Sequence, residues 1–153
     1  MRDEMHLLRT RIGLALPGAR LESPATMEMI KAAEATLEVK LPCWLSDIYM
    51  ASNGVRDAIG VRYLYTIDGE DGAAEFTRFL RREEWAPFWI KGAIIFGGNI
   101  SSGMSTTHWI SIDGQLASWS YEQGVEFTGH PEGLLELWRA DYAQLHPSAQ
   151  PQE

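Results

Sequence analysis

The sequence predicts an α+β fold: a mainly antiparallel sheet, run as a meander, packed against N-terminal helices and a closing C-terminal helix. Three observations carry this. Apolar residues recur at helical spacing from Asp3 to Gly54. Between Ala93 and Thr128 the chain becomes short β-rich runs punctuated by turn residues, including the hairpin dipeptide Asp113-Gly114. Helical spacing then returns after Pro131. Helices first, then a meander, then a last helix is the element order of an α+β domain.

The elements follow in chain order. A first helix is expected from about Asp3 to Ala15, with Leu8, Ile12 and Ala15 on one face and Pro17-Gly18 stopping it. Thr26 can cap a second, with Glu28 near its positive end and Ile30, Ala33 and Leu37 as its apolar stripe. A third begins at Pro42, whose fixed φ suits a first helical position; Leu41 can pack back onto its first turn. Leu45, Ile48 and Tyr49 give its buried face, and Asn53-Gly54 is expected to close it with a left-handed cap. Val61–Ile67 reads as a strand, Asp68–Gly72 as a loop, and Ala73–Arg82 as a helix with Phe76, Phe79 and Leu80 inward. Strands are expected at Ala93–Phe96, His108–Ile112, Leu116–Tyr121 and Val125–Thr128, and a helix from about Pro131 to Leu145 with Leu134, Leu135, Trp138 and Tyr142 at helical spacing. The chain reads as one domain over residues 1–146 with a solvated, disordered tail at 147–153.

Composition narrows the function. Hydrophobic residues make up 45% of the 153, with six Trp, enough for a packed core. Thirteen Lys and Arg stand against 21 Asp and Glu, a net charge of -8. That balance argues against a nucleic-acid or anionic-membrane partner, since both need clustered cations. No run approaches the ~18 apolar residues of a membrane span, and the charged start lacks a signal peptide's apolar centre. One cysteine, Cys43, allows no internal disulfide and no Cys-rich zinc site. A cytoplasmic protein is expected.

Catalytic motifs fare poorly. Cys43 sits at a helix start, where a thiol pKa can fall, but the first-turn position accounts for it as a small packing residue. His6, His108, His130 and His146 show no ligand spacing, so no metal is expected. Gly97–Gly103 lacks the Lys-Ser/Thr ending of a phosphate loop and precedes a strand rather than a helix, so it reads as a long hairpin connection. No carboxylate pair is singled out by spacing, and no catalytic residue is assigned. A small hydrolase using carboxylates or Cys43 is the reading from another class.

Thr26 to Gly54 carries a resemblance. Glu34-x-x-Leu37, then Leu41-Pro42, then a helix ending in Asn53-Gly54, resembles the signature segment of the SMI1/KNR4 family, the SUKH superfamily. Ile94-Ile95-Phe96-Gly97, the glycine-rich stretch, Asp113-Gly114, an aromatic strand and a last helix are similar to the family's meander and closing helix, so the resemblance covers roughly Thr26 to Tyr142. The chain departs from the pattern at Glu38, where the family usually has glycine, which predicts a different turn between the helices, and at Trp109–Asp113, where the family often has an aromatic-Cys-Leu-Asp stretch. The resemblance implies a non-enzymatic immunity protein that binds and neutralises a cognate bacterial toxin, many such toxins being nucleases. A chain acting by such stoichiometric binding is expected to need no cofactor. The alternative it implies is a regulatory scaffold for cytoplasmic partners. The matching positions read as fold-makers rather than contacts.

Charge and aromatics supply the candidate contacts. From Gly92 to Trp138 there is no Lys or Arg, while Asp113, Glu122, Glu126, Glu132 and Glu136 are acidic. Glu122 and Glu126 flank a turn, and Asp68, Glu70 and Asp71 make a second acidic loop. Together these read as a negative face for a cationic toxin, with Trp119 or Tyr121 as aromatic anchors. The competing reading of Trp85, Phe88, Trp89, Trp109, Trp119 and Tyr121 is a core beneath the last helix. Apolar faces on the meander can equally pair two copies as a homodimer.

Overall fold

A computed structural model describes residues 2–101, 105–120 and 123–146. It is α+β, as the sequence predicts: five α-helices, a three-stranded and a four-stranded antiparallel sheet. The helix α1 (Arg2–Ala15) is followed by β1 (Arg20–Leu21), α2 (Met27–Leu37) and α3 (Cys43–Ala51). Then come β2 (Val55–Arg56), β3 (Arg62–Leu64) and α4 (Ala73–Arg81). A 3-10 turn (Phe88–Gly92) leads into the meander β4 (Ala93–Ser101), β5 (Ser105–Ile112), β6 (Gln115–Ser120) and β7 (Gly124–Phe127). A second 3-10 turn (Pro131–Gly133) opens α5 (Leu134–Leu145). The tail at 147–153 lies outside the described residues.

The segment from Thr26 to Gly54 folds for reasons visible in its side chains. The Thr26 hydroxyl accepts the Met29 N–H at 3.1 Å, and the Met29 thioether accepts the Thr26 N–H at 3.5 Å, a reciprocal cap. Such a cap contributes about 1 kcal/mol. Glu34 reaches forward from α2, and its Oε2 accepts the Leu41 N–H at 2.8 Å, fixing the α2–α3 turn. Leu37 and Leu41 are buried on either side of that bond. Pro42 caps α3 without a side-chain bond. Glu38 keeps the left-handed conformation that a glycine suits (φ 56°, ψ 32°), so the substitution does not abolish the left-handed cap.

Two arginines tie the helices to the rest. Arg9 of α1 donates to the carbonyls of Glu22 and Ala51, at 2.7 and 2.9 Å. Arg81 of α4 donates to Leu37 at the end of α2, and to Ile90, Lys91 and Ala93 at the start of β4. Each satisfies several main-chain oxygens that the turns leave free.

The two sheets meet through β3 and β4. A bulge in β4 leaves Phe96 as an extra residue between the pairs Ile95–Ile110 and Gly97–Trp109. Phe96 turns into the core, edge-on to Trp44 of α3 at 5.7 Å, and its carbonyl accepts the Tyr65 N–H at 2.7 Å. At Gly97 the main chain of β3 passes so close that a Cβ would stand 2.0 Å from the Tyr63 carbonyl oxygen.

Several expectations need correction. The glycine-rich stretch is strand through Ser101 rather than hairpin connection, because Gly97 and Gly98 are where other groups press on the sheet; 102–104 lie outside the described residues. The Val61–Ile67 strand is regular only over Arg62–Leu64. α3 ends at Ser52 in extended conformation; Gly54, at φ 120°, serves the entry to β2 instead of a left-handed cap. Phe79 points outward, 59% exposed, because Ala73, Ala74, Thr77 and Leu80 form the buried stripe of α4. Thr77 earns its buried place by accepting the Ile95 N–H at 2.9 Å.

Candidate partner-binding surface

Asp68, Glu70 and Asp71 occupy the exposed β3–α4 loop. The loop is held by its neighbours. The Asn53 side chain accepts the Ile67 N–H at 2.8 Å and donates to Asp68 at 3.0 Å, and the Thr66 hydroxyl donates to the Asp68 carbonyl at 2.8 Å. Asn53 of the Asn-Gly pair is therefore the residue that fastens the acidic loop to the end of α3. The three acids and Glu22 line a groove of about 320 Å³.

The groove is not purely negative. Arg56 and Arg62 line it too, brought opposite each other by the β2–β3 pairing. Arg62 donates to the Asp71 carbonyl at 3.1 Å and lies 4.4 Å over the Tyr65 ring. Glu22 pairs with Arg20 at 3.1 Å on the surface. Sequence reading missed these cations because they sit outside the acidic run and are set beside it only by the short β2–β3 pairing.

The remaining candidates are placed elsewhere. Asp113 and Gly114 form a tight turn with positive φ at both residues (50° and 82°), as the dipeptide predicts. That turn is pinned by Trp44, whose indole N–H donates to the Gly114 carbonyl at 2.9 Å. Glu126 is exposed on β7 opposite Ser118, three positions along β6 from Gln115, or roughly 10 Å of strand. Neither Asp113 nor Glu126 lines the groove. Tyr121 and Glu122 lie outside the described residues.

Trp119 needs correction as an anchor. It is 5% exposed, stacked on His108 at 5.3 Å and edge-on to Trp89 at 5.7 Å. Half-exposed Trp85 stacks over it at 6.5 Å. Of the aromatic cluster Trp109 and Trp119 are core, with Trp119 covered by Trp85, Trp89 and, beyond His108, Phe76 of α4 rather than by the last helix, whereas Phe88 stands 92% exposed and is not core. Trp138 of α5 instead meets Tyr63 edge-on at 6.1 Å. A surface aromatic there is Trp85, which the sequence marks only as part of a cluster.

The titratable groups outside this surface serve packing. His108 is buried between Phe76 and Trp119, and burial holds its imidazole down at about 4, overcoming a backbone hydrogen bond at Gly97 that acts the other way. Asp57, unforeseen in the sequence, accepts the N–H groups of Ile59 and Val61 through Oδ1 and meets His146 Nε2 at 3.0 Å through Oδ2. Asp141 is pushed up to about 6, first by burial and then by the negative Asp57. The Tyr142 hydroxyl donates to the Pro17 carbonyl, fixing α5 against the end of α1. Cys43 is exposed, and among the described residues no group of three or more His, Cys, Asp or Glu is placed to hold a metal ion.

Among the described residues no helix is long and apolar enough to cross a membrane. No curated protein matches the chain. The model of the SMI1 / KNR4 family (SUKH-1) matches residues 24–135. That span runs from just before the capped start of α2 to the first turn of α5, taking in the Glu34 latch, Asn53, the acidic loop and the whole meander. The chain belongs to the SMI1/KNR4 family, SUKH-1.

Proposed function

We propose that this chain is an immunity protein that binds and neutralises a cognate bacterial toxin stoichiometrically, inside the cytoplasm, by covering or distorting it. The observation that carries the reading is the family match over residues 24–135. The held acidic loop supports it, since a partner then pays little ordering entropy on docking. A toxin with a basic cleft, such as a nuclease, is the class that the acidic residues suit. The interspersed Arg56 and Arg62 give the groove a pattern of charge rather than a uniform sign, which favours selection of one partner over others.

The test is co-expression with the toxin encoded beside this chain. Cells carrying both are expected to grow, and cells carrying the toxin alone to die; equal killing in the two would refute immunity. Isolation of a stable complex with a non-toxic regulator would instead favour the scaffold role. Association is expected to slow about tenfold as ionic strength rises from about 0.05 to 0.5 M, because the Debye length shrinks below the spacing of surface charges. A flat response measured by stopped flow would remove the electrostatic part of the proposal.

A further inference from the structure

The outer strand β7 carries a second feature. It ends the four-stranded sheet, and among the described residues no strand pairs with its free side. Hydrogen bonding on its inner side fixes what faces out. The Thr128 N–H donates to the Leu116 carbonyl at 3.3 Å, in register with the pairs Phe127–Ala117, Glu126–Ser118 and Val125–Trp119. Hydrogen-bonded and open positions alternate in an antiparallel ladder. Thr128, Glu126 and Gly124 therefore bond inward, and the N–H and C=O groups of Val125 and Phe127 point outward.

The side chains around this edge are not those of a defended edge. Natural sheets often guard such strands with lysine, yet no Lys or Arg occurs from Gly92 to Trp138. Phe127 is 61% exposed. Val125 shares a face with Trp119, over which Trp85 lies 48% exposed. One face of the edge is thus apolar and aromatic, and the other presents the exposed carboxylate of Glu126.

Those features select among occupants. A second copy pairing its β7 antiparallel, with both outward-bonding residues engaged, sets Val125 against Phe127 and Glu126 against Glu126. Like charges directly opposite destabilise a strand pair. A foreign strand with a cation opposite Glu126 and apolar residues on either side meets neither penalty. We infer that β7 is a docking edge that takes an extended, cationic strand of the partner by sheet extension, main chain to Val125 and Phe127 and a lysine or arginine to Glu126. This rests on the reading of the chain as a binder of a protein toxin, and it names the part of the toxin that is grasped.

The test uses the full-length chain, labelled with ¹⁵N, and short blocked peptides that alternate valine with lysine or valine with glutamate. The valine–lysine peptide is expected to shift the Val125 and Phe127 amides and slow their hydrogen exchange, and the valine–glutamate peptide to leave them in place. Glu126→Lys is expected to reverse that preference. Val125→Pro, which deletes one outward donor and leaves the β6 ladder whole, is expected to weaken binding about tenfold. Shifts confined to the 68–71 loop, or shifts at 125–127 that grow with protein concentration before any peptide is added, would overturn the proposal, the second outcome by showing a self-pairing edge. Because the wild-type titration needs no variant, misfolding of either substitution leaves the answer intact. Protection in cells separates the two readings: a folded Val125→Pro chain that protects as well as wild type removes the docking edge and keeps immunity, whereas a wild-type chain that fails to protect removes immunity while the titration still decides the edge.

Discussion

Replacing Gly97 by Ala is expected to cost roughly 3 kcal/mol, lowering Tm by about 10 °C in a domain of this size. The added methyl would stand 2.0 Å from the Tyr63 carbonyl oxygen and 3.5 Å from the Leu64 nitrogen. Both are main-chain atoms of β3, so no side chain can swing aside to relieve the contact. β3 must move off β4, and two things go with it. The Tyr65 N–H to Phe96 carbonyl bond lengthens, leaving a buried donor and a buried acceptor short of partners. The bulge that aims Phe96 at Trp44 also loses the strand that backs it. The control is Gly13→Ala in the last turn of α1, where a Cβ meets nothing within 4 Å. There the substitution is expected to stabilise by roughly 0.5–1 kcal/mol, because glycine gives up more chain entropy in a helix than alanine does. Urea unfolding with a common m-value is the measurement. A Gly97→Ala midpoint within error of wild type would mean that the two sheets are not held at this approach.

That glycine marks where sequence reading runs short. Local signals placed most of the helices and strands. The Thr26 cap, the Asp113-Gly114 turn and the Trp138 stripe of α5 each act within a few residues, and each is where the local pattern put it; Pro42 stands one place off, as the extended N-cap of α3 rather than its first helical residue. What escaped depends on partners distant in the chain. Gly97 and Gly98 look like a loop because nothing nearby in sequence reveals that β3 and Tyr65 press on them. β1 and β2 are two residues each and are strands only through distant pairings, β1 with β2 across Arg20–Arg56 and β2 with β3. Phe79 fails for a subtler reason: two residues three apart with a third beside them fit a helical stripe, but Thr77 was the better buried residue because β4 offers it an N–H to accept. The candidate surface divides in the same way. The exposure of Asp68, Glu70, Asp71, Asp113 and Glu126 follows from their turn or edge positions. That Trp119 is interior, and that arginines enter the acidic groove, follows from strand pairing that the chain does not announce.

Between pH 6.5 and pH 4, His108 and Asp141 are expected to pull stability in opposite directions. His108 titrates near its ordinary 6.5 when unfolded and at about 4 when buried between Phe76 and Trp119. In that window the unfolded chain holds the extra proton, so acid favours unfolding. The contribution is fully present above pH 6.5 and is lost as pH falls to about 4. At 6% exposure solvent screens it little, and a shift from 6.5 to 4 corresponds to about 3 kcal/mol. Asp141 has the reverse sign. Its carboxyl binds its proton at about 6 in the fold against 3.8 outside it, so the native chain takes up the proton first and gains as pH drops through 6. Being only partly buried, it offsets His108 in part. Wild type is therefore expected to show a shallow acid slope that hides two steep ones. Asp141→Asn removes the offset and is expected to expose the whole His108 loss of about 3 kcal/mol in urea melts taken from pH 6.5 to 4. His108→Gln, less stable throughout because a packed ring is gone, is expected to reverse the slope and grow more stable on acidification over the same range. Parallel slopes in the two variants would show that neither group is set by its burial. A His108→Gln chain that still loses stability with acid at the wild-type rate would place the proton elsewhere, and would leave the stack of His108 on Trp119 as packing alone.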